Sequence, residues 1–227
     1  MIKLIFLCRR RSDISHDRYA DLLLRGHAPL ALRHHPTMRK YVVNIVERTP
    51  PGEEELDSIG ELSFTTLADF HDRLYDSPSG RAVIEADVRG FMGGAHAYAT
   101  TEYVQKDRLP RPRLATASGG VKLVCPLIRR ADMTHDAFVE HWLNDHVPLA
   151  LRHHPLLTKY VTNVVDQRLS STGEAWDGFA ELHLASAEDF PRLFDSAEGE
   201  RIVREDIARF IGRTGAYWVR EYVQKLP

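Results

Sequence analysis

The chain has 227 residues, of which 43% are hydrophobic and 27% charged, the proportions of a folded globular protein. With 30 basic side chains against 32 acidic ones the net charge is −2, so the sequence carries no basic footprint for nucleic acid. Two cysteines, Cys8 and Cys125, make no disulfide framework, and a reducing, cytoplasmic setting is expected. The apolar run Leu4–Leu7 is shorter than the ~7–15 residues of a secretory signal core, and no stretch approaches the ~20 apolar residues of a membrane span. Neither a membrane nor a nucleic acid is expected as a partner.

In chain order, IKLIFLC is a short apolar run suited to a buried strand. DISHDRYADLLLRGH then fits a helix, with Ser15 as N-cap, Asp17 in the first turn, and Tyr19, Leu23 and His27 four apart on one face. Pro29 lacks an N–H, and its ring collides with the carbonyl four residues back, so a bend or restart is expected near His27. LALR continues as helix and Pro36 stops it. Arg33, His34 and His35 fall in the last turn, where positive charge complements the helix dipole. KYVVNIVE and IGELSFT are the second and third strands. TLADFHDRLYDS opens with Thr66 and Asp69, a helix-start signature. A further helical turn or two reaches Phe91, and AYATTEYVQ closes the unit. The order β-α-β-β-α-β is that of a ferredoxin-like split βαβ.

The unit occurs twice. A shift of 119 places Lys3 on Lys122, His16 on His135, His27 on His146, Tyr41 on Tyr160 and Asn44 on Asn163. HAPLALRHHP returns as HVPLALRHHP, and TEYVQK as REYVQK. So long a period means duplicated domains, 1–106 and 121–227, rather than a solenoid. Residues 107–120, DRLPRPRLATASGG, read as an exposed linker. An antiparallel sheet with helices on one face leaves the other uncovered, so the two sheets are expected to cover each other as a sandwich or barrel inside one chain. A homodimer of the two-repeat chain is compatible with this design.

His27 and His146 follow the apolar positions of their helices. A histidine placed so is either a satisfied core residue or an acid–base group. A metal does not fit: His27 and His34 are ~10.5 Å apart along a helix, against two bonds of ~2.0–2.1 Å to one ion. No HxH, HExxH or CxxC spacing occurs. No metal or cofactor is expected.

RRADMTHDAFVEHWLNDHVPLAL (129–151), KYVTN (159–163) and AELHL…EDF (180–190) resemble the EthD family. The family's aromatic, Trp, His and Pro fall on Phe138, Trp142, His146 and Pro148. In the first copy they fall on Tyr19, Leu23, His27 and Pro29, so the Trp is missing there. The resemblance implies an α+β fold, two ferredoxin-like repeats closing as an intramolecular dimeric α+β barrel. Relatives in this superfamily include cofactor-free lactone isomerases, dehydratases and decarboxylases of aromatic polyketides, and quinone-forming monooxygenases; more distant ones bind haem. It further implies His27 with Tyr41, and His146 with Tyr160, as catalytic pairs. Asn44, Glu61, Trp142, Asn163, Glu181 and His183 are the candidate substrate contacts. Glu61 and Glu181 could instead orient a histidine or face solvent, and the asparagines could satisfy backbone groups. The second pocket is favoured because Trp142 offers an aromatic wall. The expected function is a cofactor-free lyase or isomerase on a small aromatic, polyketide or lactone-type substrate. The alternative is a small-ligand-binding or accessory protein, with haem binding behind both.

Overall fold

The computed structural model describes Met1–Pro227. The first repeat runs β1 (Ile2–Arg10), α1 (His16–Asp21), α2 (Ala28–His34), β2 (Lys40–Arg48), β3 (Ser58–Phe64), α3 (Leu67–His71), α4 (Pro78–Phe91) and β4 (Met92–Asp107). The second runs β5 (Val121–Arg129), α5 (His135–His141), α6 (Val147–His153), β6 (Leu157–Arg168), β7 (Gly178–Leu184), a 3₁₀ turn (Ala187–Arg192), α7 (Ala197–Phe210), β8 (Ile211–Thr214) and β9 (Tyr217–Lys225). The one long closing strand of the first repeat, β4, is thus two strands, β8 and β9, in the second.

Within each repeat the strands pair antiparallel in the expected order, with the closing strand beside the first. The closing strands then reach across. β4 lies along β6 of the other repeat, and β9 along β2. The order β7-β6-β4-β1-β3-β2-β9-β5 is closed by β5 pairing with β7. The result is an eight-stranded barrel rather than a sandwich, because strands long enough to serve both repeats leave no free edge between them. No helix is long and apolar enough to cross a membrane.

The first helix is interrupted before its proline and resumes as α-helix at Ala28, and at Val147 in the second repeat. Leu22–His27 is a π-helical stretch in which the Ala28 N–H reaches back to the Leu23 carbonyl, and the Val147 N–H reaches Trp142 in the second repeat. One extra residue in the turn moves the carbonyl that the proline ring would strike. Pro29 and Pro148 then stand in the first turn of α2 and α6, where no intrahelical donor is required. The second helix also differs from expectation. The Thr66–Asp69 capping box is present but starts only the five-residue α3; the long helix is α4, capped by Ser77.

Strand alternation divides the side chains into three cores. Between helices and sheet lie Tyr19, Leu23, Tyr41 and Phe91 in the first repeat, and Phe138, Trp142, Tyr160 and Phe210 in the second. The apolar part of the barrel interior is filled by Ile5, Ile59, Tyr98, Phe179 and Tyr217 among others.

Candidate functional site

Tyr41 and Asn44 are three residues apart on β2 and therefore face opposite sides of the sheet. The same holds for Tyr160 and Asn163 on β6. The sequence-predicted site is thereby split into two compartments: one inside the barrel, the other under the helices.

The barrel compartment is ionic. Lys3 Nζ contacts Glu181, Glu61 at 2.7 Å and Glu102 at 2.8 Å. Lys122 Nζ mirrors it, 2.5 Å from Glu61, 2.8 Å from Glu181 and 3.0 Å from Glu221. Asn44 Nδ2 donates to Glu61 at 2.8 Å and to the Ile59 carbonyl at 2.9 Å. Asn163 Nδ2 donates to Glu181 at 2.8 Å and to the Phe179 carbonyl at 3.0 Å. Glu61 and Glu181 are each 3% exposed, so they do not face solvent, and the side chains bonded to them are lysines and asparagines. Burial and the neighbouring Glu181 would raise the Glu61 carboxyl, but Lys122 and Lys3 hold it at about 2. Oxygens of Glu61, Glu102 and Glu181 gather within 4.8 Å of one another, as around a cation. The cation there is the Lys3 ammonium. His183 also lies buried, with Nε2 unpartnered and its pKa pushed down to about 4 by burial and then by Lys122. These groups join the repeats: each lysine binds the glutamates of both.

The helix-side compartment holds the candidate chemistry. His27 Nδ1 lies 2.9 Å from Asp87 Oδ2 of α4, with its ring 5.5 Å from that of Phe91. His146 Nδ1 lies 2.9 Å from Asp206 Oδ2 of α7, with its ring 5.1 Å from Phe210. Asp206 also meets His141 Nε2 at 2.9 Å. A carboxylate on Nδ1 fixes the ring proton there and leaves the Nε2 lone pair as the base. Burial lowers the pKa of His27 while Asp87 opposes it, and the net shift is downward. Burial raises the Asp206 carboxyl, but its hydrogen bonds with His146 and His141 bring it below the ordinary value. Sequence reasoning missed both aspartates, although they too recur at a spacing of 119 (206 − 87 = 119).

Around the tyrosines the repeats part company. Trp142 Nε1 donates to the Tyr160 hydroxyl at 3.2 Å, and the indole is 1% exposed. It packs so closely on Gly178 that a Cβ there would fall 2.4 Å from the ring. The indole thus occupies the space beside the Tyr160 hydroxyl. In the first repeat Leu23 replaces the tryptophan. The strand position facing it is Ser58, whose Oγ meets the Tyr19 hydroxyl at 2.7 Å. Cys8 lies beside them, its thiol pushed up to about 12 by burial. Tyr41 is 4% exposed, and no indole reaches its hydroxyl.

The paired histidines closing the repeated decapeptide are not simply a charged helix end. His34 and His153 reach Asp76 at 3.0 Å and Asp195 at 3.1 Å, tying α2 and α6 to the starts of α4 and α7. His35 and His154 turn inward and are each 5% exposed. His35 Nδ1 meets the Leu74 carbonyl at 3.2 Å, whereas neither ring nitrogen of His154 has a partner.

A closed barrel made by two fused ferredoxin-like repeats, with a histidine–aspartate pair under each helical layer, defines an intramolecular dimeric α+β barrel protein. The EthD domain model matches residues 11–95 and 130–214, and the chain belongs to the EthD family. No curated protein matches the chain. Among solved structures it is similar to a candidate monooxygenase from Fusobacterium nucleatum, at 7% identity and TM-score 0.65 over 99% of this chain and 94% of that one. An anthrone oxidase-like protein gives 8% identity and TM-score 0.64 over 98% and 93%. Chlorite dismutase from Candidatus Nitrospira defluvii gives 12% and 0.53 over 97% and 90%. At such identities these likenesses establish the fold.

Proposed function

We propose that the protein is an enzyme that moves a proton next to the carbonyl of a small, flat aromatic, polyketide or lactone-type ligand. The observation that carries this reading is the His–Asp pair, built twice from the same two helices with the same nitrogen on the carboxylate. Nε2 takes the acidic C–H proton, and the aspartate stabilises the imidazolium that forms. Tyr41 is the hydroxyl on the same side of the sheet that would donate to the enolate oxygen. Returning the proton to another carbon gives isomerisation, and giving it to a departing β-hydroxyl expels water. A β-keto acid reaches the same enolate by losing carbon dioxide instead of a proton, and a protonated imidazole then supplies the proton to carbon. Positioned acid–base help of this kind is worth ~10²–10⁴-fold in rate. A downward-shifted His27 is neutral at pH 7, the form a base requires. The first repeat is the stronger candidate, since Trp142 occupies the space beside Tyr160 in the second.

The competing reading is carriage of the same ligands without turnover. Flat hydroxylated aromatic ketones and lactones, titrated by quenching of the intrinsic tryptophan fluorescence and followed by mass spectrometry, separate the two. In the enzyme reading Asp87→Asn keeps affinity and slows turnover about 10²-fold. Binding that is equal in wild type, Asp87→Asn and His27→Gln, with no product from any of them, favours carriage.

A further inference from the structure

Both repeats end on the same strand sequence, EYVQK, at 102–106 and 221–225. Only one of these strands is covered along its outer edge. In β9, pairing with β5 stops at Lys122–Val219, and the linker takes over. Ala117 bridges Tyr222, while the Ala115 and Ser118 N–H groups donate to the Val223 and Glu221 carbonyls, each at 2.8 Å. Ser118 Oγ adds a bond to Glu221 Oε1 at 3.0 Å. In β4, pairing with β1 stops at the equivalent place, Lys3–Thr100, and no segment runs alongside the residues that follow. The consequence shows in exposure: Val223 is 5% exposed, but its twin Val104 is 54% exposed, and Tyr103 is 41% exposed.

Beside Tyr103 lies a groove of about 420 Å³ between β4, β6 and α5. Val139, Leu143 and Val164 give it an apolar floor, and Asp136, Glu140 and Asp166 an acidic rim. Asp166 accepts from Thr101 Oγ1 at 2.9 Å. His135 also lines the groove, but its Nδ1 is turned to Asp177 at 3.1 Å, and no lysine or arginine lines it.

We propose that the outer edge of β4 docks an extended segment of another protein, added as a strand just as the linker adds to β9, with a basic side chain opposite Tyr103 directed into the groove. Such strand addition draws affinity from main-chain hydrogen bonds and selectivity from pockets for alternate side chains. The bound form of the edge is already visible on β9, because the two strands present the same five residues. The position that Ala117 takes opposite Tyr222 is the one whose side chain shares a face with Tyr103 in the β4 complex. The acidic rim decides its charge.

The test uses the untagged full-length chain and a labelled peptide of residues 112–120 carrying A117R, followed by fluorescence anisotropy. One-to-one saturable binding is expected, weakened at least tenfold when the peptide carries A117E. On the protein, Val104→Pro removes an edge N–H and should abolish binding. The double variant Asp136→Asn, Glu140→Gln leaves the strand intact and should erase the difference between the two peptides. Absence of saturable binding overturns the proposal, as does an A117E peptide that binds equally well. Sedimentation showing that two copies of the chain pair through Val104 assigns the edge to self-association and overturns it as well.

Discussion

Trp142 donates from Nε1 to the Tyr160 hydroxyl at 3.2 Å, and the pair is possible only because the residue facing the indole is Gly178. The first repeat solves the same packing problem with a different set: Leu23, Ser58 and Tyr19 stand where Trp142, Gly178 and Phe138 stand in the second. The two sets exclude each other, since a Cβ at position 178 falls 2.4 Å from the indole. Gly178→Ser is expected to destabilise the chain by ~1–3 kcal/mol through overpacking. In a Trp142→Leu background the same substitution should be close to neutral. Urea melts of the two single variants and the double variant measure the coupling; additive effects would contradict this packing.

The four-glutamate, two-lysine cluster inside the barrel gives a second prediction. Lys3→Met leaves Glu61 and Glu181 with Lys122 alone and Glu102 with only Lys40, 3.7 Å away. Removing one partner of a buried ion pair costs ~3–5 kcal/mol. A denaturation curve showing a loss below 1 kcal/mol would be inconsistent with the buried geometry.

The same cluster sets an acid limit. A carboxyl whose folded pKa lies below its unfolded one contributes stability above the unfolded value, and that contribution is lost as pH falls through the folded value. Glu61, held at about 2 by Lys122 and Lys3, therefore predicts a progressive loss between ~4.5 and about 2. Glu61→Gln should flatten this limb of the stability–pH curve.

His154 and His183 act over a different window. Burial, followed by His146 and Lys122 respectively, depresses each to about 4. Here the unfolded chain binds the extra proton, so stability is full above ~6.5 and declines towards about 4. Each histidine contributes a slope of about 1.4 kcal/mol per pH unit within that window. His154→Phe, which removes two unpartnered buried nitrogens, should lower the slope and raise the melting temperature at pH 5. An unchanged slope would show that His154 is protonated in the folded chain.

Much of this architecture was legible in the sequence because it rests on local rules. The βαββαβ order follows from changes of hydrophobic period, and the duplication from a shift of 119. His27 and His146 stand out through their spacing from Tyr19 and Phe138. What was not legible depended on distant partners. Asp87 meets His27 only after α4 packs across α2, 60 residues along the chain, although recurrence of that aspartate as Asp206 was an available signal. Lys3 and Lys122 stand out in the sequence only as repeat markers, because nothing local shows that both enter the barrel and meet Glu61 and Glu181. For Trp142 the family spacing says where the indole lies but not that it reaches the Tyr160 hydroxyl. The interruption at the proline is foreseeable from the missing N–H, but its form, a π-turn followed by a fresh α-helix, is not.

The central claim is that Nε2 of His27, and of His146 where ligand can reach it, removes a carbon-bound proton. The direct measurement is incorporation of deuterium from D₂O next to the carbonyl of a bound flat ketone or lactone, in wild type and in the His27→Gln, His146→Gln double variant. The account predicts exchange above the buffer rate in wild type and a fall of ~10²-fold or more in the double variant, with His27→Gln alone accounting for most of it. Exchange at the buffer rate in wild type, or unchanged exchange in the double variant, would contradict it.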